Sequence, residues 1–124
     1  MVSDDLVRAR AERVVALLPH AVAVEADMVD AYGLDLGGHC EEAAFALAAR
    51  LREAGFGAVV ARGTYTRTDG ERIGHFWVES DPFVVDPTRS QFGPFLPLVE
   101  PISGAEGYDP EEWLDPEPTA GMRP

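Results

Sequence analysis

Apolar residues recur at helical spacing early in the chain: Val7, Ala11, Val14 and Leu18 share one face, with Arg8, Glu12 and Arg13 on the others. Ser3 is a suitable N-cap, and Asp4 and Asp5 put negative charge where the helix dipole favours it. Pro19 has no backbone N–H and crowds the preceding turn, so the pattern predicts an interruption there and a second helix over residues 20–32. Gly33, Gly37 and Gly38 then break the chain. A further helix is predicted from Cys40. Cys40, Ala44, Leu47, Leu51 and Ala54 share a face, the charged residues Glu41, Glu42, Arg50, Arg52 and Glu53 lie mostly off it, and Gly55 supplies the stop.

Past Gly55 the period changes from helical to alternating, which predicts strands over residues 58–66, 73–79 and 83–86. Asp69-Gly70, read as a two-residue turn, sets Thr64 beside His75 and Arg62 beside Trp77. Ser80-Asp81 as the next turn sets His75 opposite Asp86, whereas a slip of one residue would send Asp86 to the other face. His75 and Trp77 share a face in any register. Helices followed by an antiparallel meander give an α+β fold, with the helices packed on one side of the sheet.

From Pro94 the composition shifts: seven of the ten prolines lie there, and acids dominate from Glu100. Asp109-Pro110-Glu111-Glu112 has the form of an N-cap, a first-position proline and a capping box, predicting a short helix that carries Trp113 and Leu114. The chain therefore divides into a core over residues 1–93 and a Pro-rich acidic extension over 94–124. Phe95 to Trp113 is expected to dock on the body, and disorder is expected at the extreme end.

A length of 124 residues, 46% of them hydrophobic, suits one globular domain. The 22 acidic residues against 10 basic ones leave a formal charge of −12. Such a surface repels phosphate backbones and anionic lipids, which excludes nucleic acid and polybasic membrane anchoring and suits a neutral or cationic substrate. Every basic side chain is Arg, and Lys and Asn are absent, a bias expected of a GC-rich, bacterial genome. The acidic N-terminus is unlike a secretory signal, and no apolar run approaches the roughly 20 residues that span a bilayer. With a single cysteine and no internal disulfide, the expected compartment is the cytoplasm. Oligomeric state is left open.

Three residues carry chemistry together: Cys40 opening a helix, His75 within a strand and Asp86 ending the next. A free thiol with a pKa near ~8.5 is mostly protonated at neutral pH, and a helix N-terminus and a neighbouring imidazolium both favour the anion. A carboxylate behind the imidazole orients it and holds its charge, as nucleophilic catalysis by cysteine requires. His39, Cys40, His75 and Asp86 lack the paired spacings of a metal site, so neither a metal nor a cofactor is expected.

Gly38-His39-Cys40-Glu41, Gly74-His75-Phe76-Trp77-Val78-Glu79 and Val84-Val85-Asp86-Pro87-Thr88 resemble, in that order, the motifs of the transglutaminase-like cysteine enzymes. The resemblance covers Gly37 to Phe92. It implies a papain/transglutaminase-like core in which Cys40 is the nucleophile, His75 the general base and acid, and Asp86 the orienting carboxylate. It also implies attack on an amide or ester carbonyl, in a peptide or small molecule, through a thioester. Hydrolysis of the peptidase or amidase type is the favoured outcome. The alternatives are amine-accepting acyl transfer in peptide or natural-product assembly, and an inactive binding module. No Gln, Asn or Trp stands shortly before Cys40 to complete an oxyanion hole beside the Cys40 N–H. The candidates for that role and for substrate contact are His39, Tyr32, Trp77, Arg62 and Gln91.

Overall fold

A computed structural model describes residues 4–93 and 95–115. Two helices, α1 (Asp4–Tyr32) and α2 (Cys40–Glu53), precede β1 (Val59–Thr66), β2 (Arg72–Ser80), β3 (Phe83–Asp86), β4 (Leu98–Pro101) and β5 (Tyr108–Leu114). The strands form one antiparallel sheet in the order β4-β3-β2-β1-β5. The fold is α+β, with both helices on one sheet face. Ser3 and the end of the chain lie outside the described residues.

The predicted interruption at Pro19 does not occur: α1 runs through it. Pro19 sits on the solvent side, as does Val15, four residues earlier, whose carbonyl the proline cannot reach with an N–H. On the opposite side Leu17, Ala21, Val24 and Met28 are buried, and burial of a continuous stripe offsets the roughly 3 kcal/mol a mid-helix proline costs. The predicted face Val7, Ala11, Val14, Leu18 is correspondingly displaced; Val7 and Ala11 are exposed. In α2 the buried positions are Ala43, Ala44, Leu47, Ala48 and Leu51, and Ala54 is the exposed C-cap. These two stripes pack on Val60, Val78, Phe83 and Val85 of the sheet.

Both hairpins differ from their predicted turns, the first by one extra loop residue and the second by a one-residue displacement of the turn. Between β1 and β2 the loop is Thr68-Asp69-Gly70, not Asp69-Gly70 alone. Gly70 N–H donates to the Arg67 carbonyl and Arg67 N–H to that of Glu71, while Gly70 adopts φ +91° as the closing left-handed residue. The third loop residue puts Gly63 opposite His75 and Ala61 opposite Trp77. Between β2 and β3 the turn is Asp81-Pro82, so Ser80 pairs with Phe83 and Val78 with Val85. That register differs from the predicted one by two residues, and an even displacement keeps Asp86 on the His75 face.

The predicted helix at 109–112 is instead β5. Residues 108–114 alternate between half-buried and exposed, and they pair with β1 from Val60 to Tyr65. The sheet thus draws both of its edge strands from beyond residue 93. A cap signature supplies only about 1 kcal/mol, whereas pairing an open strand edge satisfies a row of backbone groups at once. At Gly63 the fit is tight: an added Cβ would overlap the Asp109 carbonyl oxygen and lie 2.8 Å from Pro110 Cα. Gly63→Ala is expected to cost about 2–3 kcal/mol, measured as a lowered midpoint in urea unfolding. An unchanged midpoint would mean that β5 does not press on β1 there.

Candidate active site

The site lies where β3 stops short. β3 ends at Asp86, and Pro87, which has no N–H to give, follows where pairing with β2 would continue. The paired residues of β2 on that side begin only at Val78. The N–H of Phe76 is left free of that ladder and donates to the sulfur of Cys40. Cys40 reaches it as the first residue of α2, after a turn in which Gly38 holds φ +87° and His39 N–H donates to the Leu36 carbonyl at 3.0 Å. Cys40 is half-buried.

His75 is buried beside it and hydrogen-bonded to the thiol. Its Nε2 lies 2.8 Å from Asp86 Oδ2, so Nδ1 is the nitrogen on the side of Cys40 and of the Gln91 amide. Asp86 is wholly buried, with donors on both oxygens. Oδ2 accepts from His75 and, at 2.7 Å, from the Tyr108 hydroxyl. Oδ1 accepts from the Thr88 N–H at 3.0 Å, and the Thr88 hydroxyl lies 3.4 Å from it. A carboxylate has about four lone-pair positions, so this set saturates it and sustains its charge away from water. Around the imidazole stand Phe92, edge-on at 4.8 Å, Trp77 at 5.9 Å, Tyr65 at 6.2 Å and Tyr108 at 6.4 Å between ring centroids.

The electrostatics follow from this packing. Burial pushes the His75 imidazolium towards losing its proton, but the Asp86 carboxylate and the hydrogen bonds to Asp86 and Cys40 outweigh it and raise the pKa to about 9. Burial pushes the Cys40 thiol up, and the hydrogen bond and charge of His75, with the Phe76 N–H, more than reverse this against the opposing charge of Asp86. The thiol therefore lies below its ordinary value. Between that lowered value and about 9 the pair is a thiolate beside an imidazolium.

The remaining sequence candidates divide. Gln91 is with the triad: its amide nitrogen is 3.4 Å from His75 Nδ1 and 3.1 Å from Thr88 Oγ1. His39 and Tyr32 flank Cys40 with rings stacked at 3.9 Å, but the Tyr32 hydroxyl donates to the Glu42 carboxylate at 2.8 and 3.0 Å. That bond occupies the Tyr32 hydroxyl. Trp77 is fully buried behind His75, so it backs the site and is not an accessible wall. Arg62 is elsewhere: it points from the opposite sheet face and pairs with Glu112 at 2.6 Å.

Sequence reasoning missed Tyr108, Thr88 and the Phe76 N–H. Pro87 directly after Asp86 signals the end of the ladder, and with it the free Phe76 N–H. Tyr108 was hidden by the helix reading of the residues that follow it. Among the described residues, no group of three or more His, Cys, Asp or Glu side chains could hold a metal ion, and no helix is long and apolar enough to cross a membrane. No protein-family model, curated protein or solved structure matches the chain.

Proposed function

We propose that this protein is a cysteine-dependent acyl-transfer enzyme of the transglutaminase-like, papain-fold kind, hydrolysing an amide or ester through a thioester on Cys40. One arrangement carries the reading: Cys40 stands against a buried His75 whose Nε2 is 2.8 Å from the buried Asp86 carboxylate, a juxtaposition that pushes the thiol down and the imidazole up. Opposed shifts in contact are what a pre-formed ion pair requires, and a buried structural cysteine has no use for them.

The thiolate attacks the substrate carbonyl carbon, forming the C–S bond while the carbonyl π electrons move onto oxygen. The Cys40 N–H at the start of α2 is the backbone donor offered to that oxyanion. As the tetrahedral adduct collapses, the imidazolium Nδ1–H passes its proton to the departing nitrogen or oxygen, leaving a thioester and neutral His75. His75 then takes a proton from water, whose oxygen attacks the thioester; the acid leaves and the ion pair is restored. Asp86 stays ionised throughout and stabilises the imidazolium formed at each end of the cycle. The charge of −12 favours a neutral or cationic peptide or small molecule. Cys40 is only half-buried, which leaves the site within reach of water and favours hydrolysis over transfer to an amine.

The test is intact-mass spectrometry with a panel of activated esters and amides. An adduct one acyl group heavier is expected, absent in Cys40→Ala and discharged at the same rate with or without added amines. If no panel member acylates Cys40, the reading fails; faster discharge by amines would reassign the protein as an acyltransferase.

A further inference from the structure

We propose that Tyr108 is a positioning residue of the Cys40–His75–Asp86 chain, aimed into it by a β-bulge at Glu111; this rests on the function proposed above. From the C-terminal end of β5, Leu114, Trp113 and Glu112 face Val60, Ala61 and Arg62 in regular register. Continued unbroken, that register would set Asp109 opposite Tyr65 and send Tyr108 to the helix-bearing face. Instead the register shifts between Arg62 and Gly63, where Pro110 takes the place opposite Gly63 and Glu111 is the unpaired extra residue. Tyr108 then lies opposite Tyr65, on the face of His75 and Asp86. Gly63 is what admits the shifted backbone, since a side chain there would strike Asp109. Bulge, glycine and tyrosine form one device whose product is a 2.7 Å hydrogen bond to Asp86 Oδ2.

That oxygen is also the acceptor of His75 Nε2–H. A second donor on one oxygen does two things. It fixes the carboxylate oxygen against His75 Nε2, and it takes up part of the negative charge that would otherwise grip the imidazolium proton. His75 must surrender a proton at Nδ1 to the leaving group, so too strong a grip slows turnover. The Tyr108 hydroxyl keeps its own proton: burial and the Asp86 charge both push its pKa up, against the opposing charge of Arg89. The charged and titratable groups acting on this pair are Cys40 from α2, Asp86 from β3, Arg89 from the turn after it and Tyr65 from β1. The ring of Tyr108 packs on Trp77 at 5.1 Å and on Tyr65 at 4.9 Å, and both contacts survive loss of the hydroxyl.

Two full-length variants test the proposal: Tyr108→Phe, which deletes the donor, and 3-fluorotyrosine at position 108, which keeps ring and hydroxyl and makes the donor stronger. The readouts are the 15N titration of the His75 imidazole and kcat against KM on whichever activated ester acylates Cys40. Tyr108→Phe is expected to raise the His75 titration by about half to one pH unit and to lower kcat about tenfold with KM little changed. Fluorotyrosine is expected to move the titration down. A tyrosine that merely packs would leave the titration unmoved in both, and that result overturns the proposal. Should Tyr108→Phe fail to fold, the fluorotyrosine protein decides alone. A wild-type Cys40 with the reactivity of a free thiol would instead remove the underlying function, which separates the two failures.

Discussion

Replacing His75 with alanine is expected to slow alkylation of Cys40 by iodoacetamide at pH 6 by about tenfold or more. An unassisted thiol with a pKa near ~8.5 is only about 0.3% ionised at that pH, whereas the hydrogen bond and charge of His75 lower the native thiol's pKa and so raise its thiolate fraction. Loss of the ring also removes the largest opposition to burial, which pushes the thiol up. The Phe76 N–H remains and recovers only part of the difference. The second-order rate constant between pH 5 and 10 is the measurement. The wild-type profile should be displaced to lower pH than that of His75→Ala, which should rise tenfold per unit below the ordinary thiol pKa. Superimposable profiles would show that the sulfur and the ring do not communicate, and the proposed chemistry would have no source of nucleophile.

Asp86→Asn is the second large effect, and it strikes activity and stability together. An amide at this position meets four donor contacts with one oxygen and one nitrogen, so its NH2 must face a donor whichever way it turns. The imidazolium loses its counter-charge, the His75 pKa falls back from about 9, and the thiolate loses its partner in turn. Turnover of an activated ester is expected to fall about 10^3- to 10^4-fold, equivalent to roughly 4–5.5 kcal/mol of transition-state stabilisation. Urea unfolding should register about 2–4 kcal/mol, because the buried donors lose their acceptor. The catalytic loss exceeds the loss of stability, and it persists at temperatures where the variant is fully folded. A folded Asp86→Asn protein with near-native turnover would show that the carboxylate serves the strand end alone.

Both predictions rest on a convergence that was only partly legible in the sequence. Cys40, His75 and Asp86 stand out because each sits at a recognisable punctuation mark: a glycine-flanked helix start, a strand of alternating pattern and a strand end before proline. Parity placed His75 and Asp86 on one face even though both hairpin registers were misjudged, since the second erred by two residues and the first leaves the His75–Trp77 relation untouched. Loop length was the weak point. Asp69-Gly70 does not announce that Thr68 belongs to the turn, because a two-residue loop and a three-residue loop with left-handed glycine call for nearly the same residues.

The misreadings of Pro19 and of residues 109–112 have a common physical cause. Each local preference, a proline breaking a helix or a capping box opening one, is worth between one and three kcal/mol or so, and each was outweighed by burial or pairing with residues far along the chain. Leu17 and Ala21 are buried only because the sheet lies beneath them, and Tyr108 to Leu114 extend only because β1 offers a free edge. The helical and strand periodicities, the acidic charge and the three reactive residues with their order are properties of the sequence alone. The bulge that aims Tyr108, the second donor on Asp86, the free Phe76 N–H and the separation of Arg62 from the site were decided by tertiary structure. Each depends on which backbone happens to lie alongside, and nothing local encodes that neighbour.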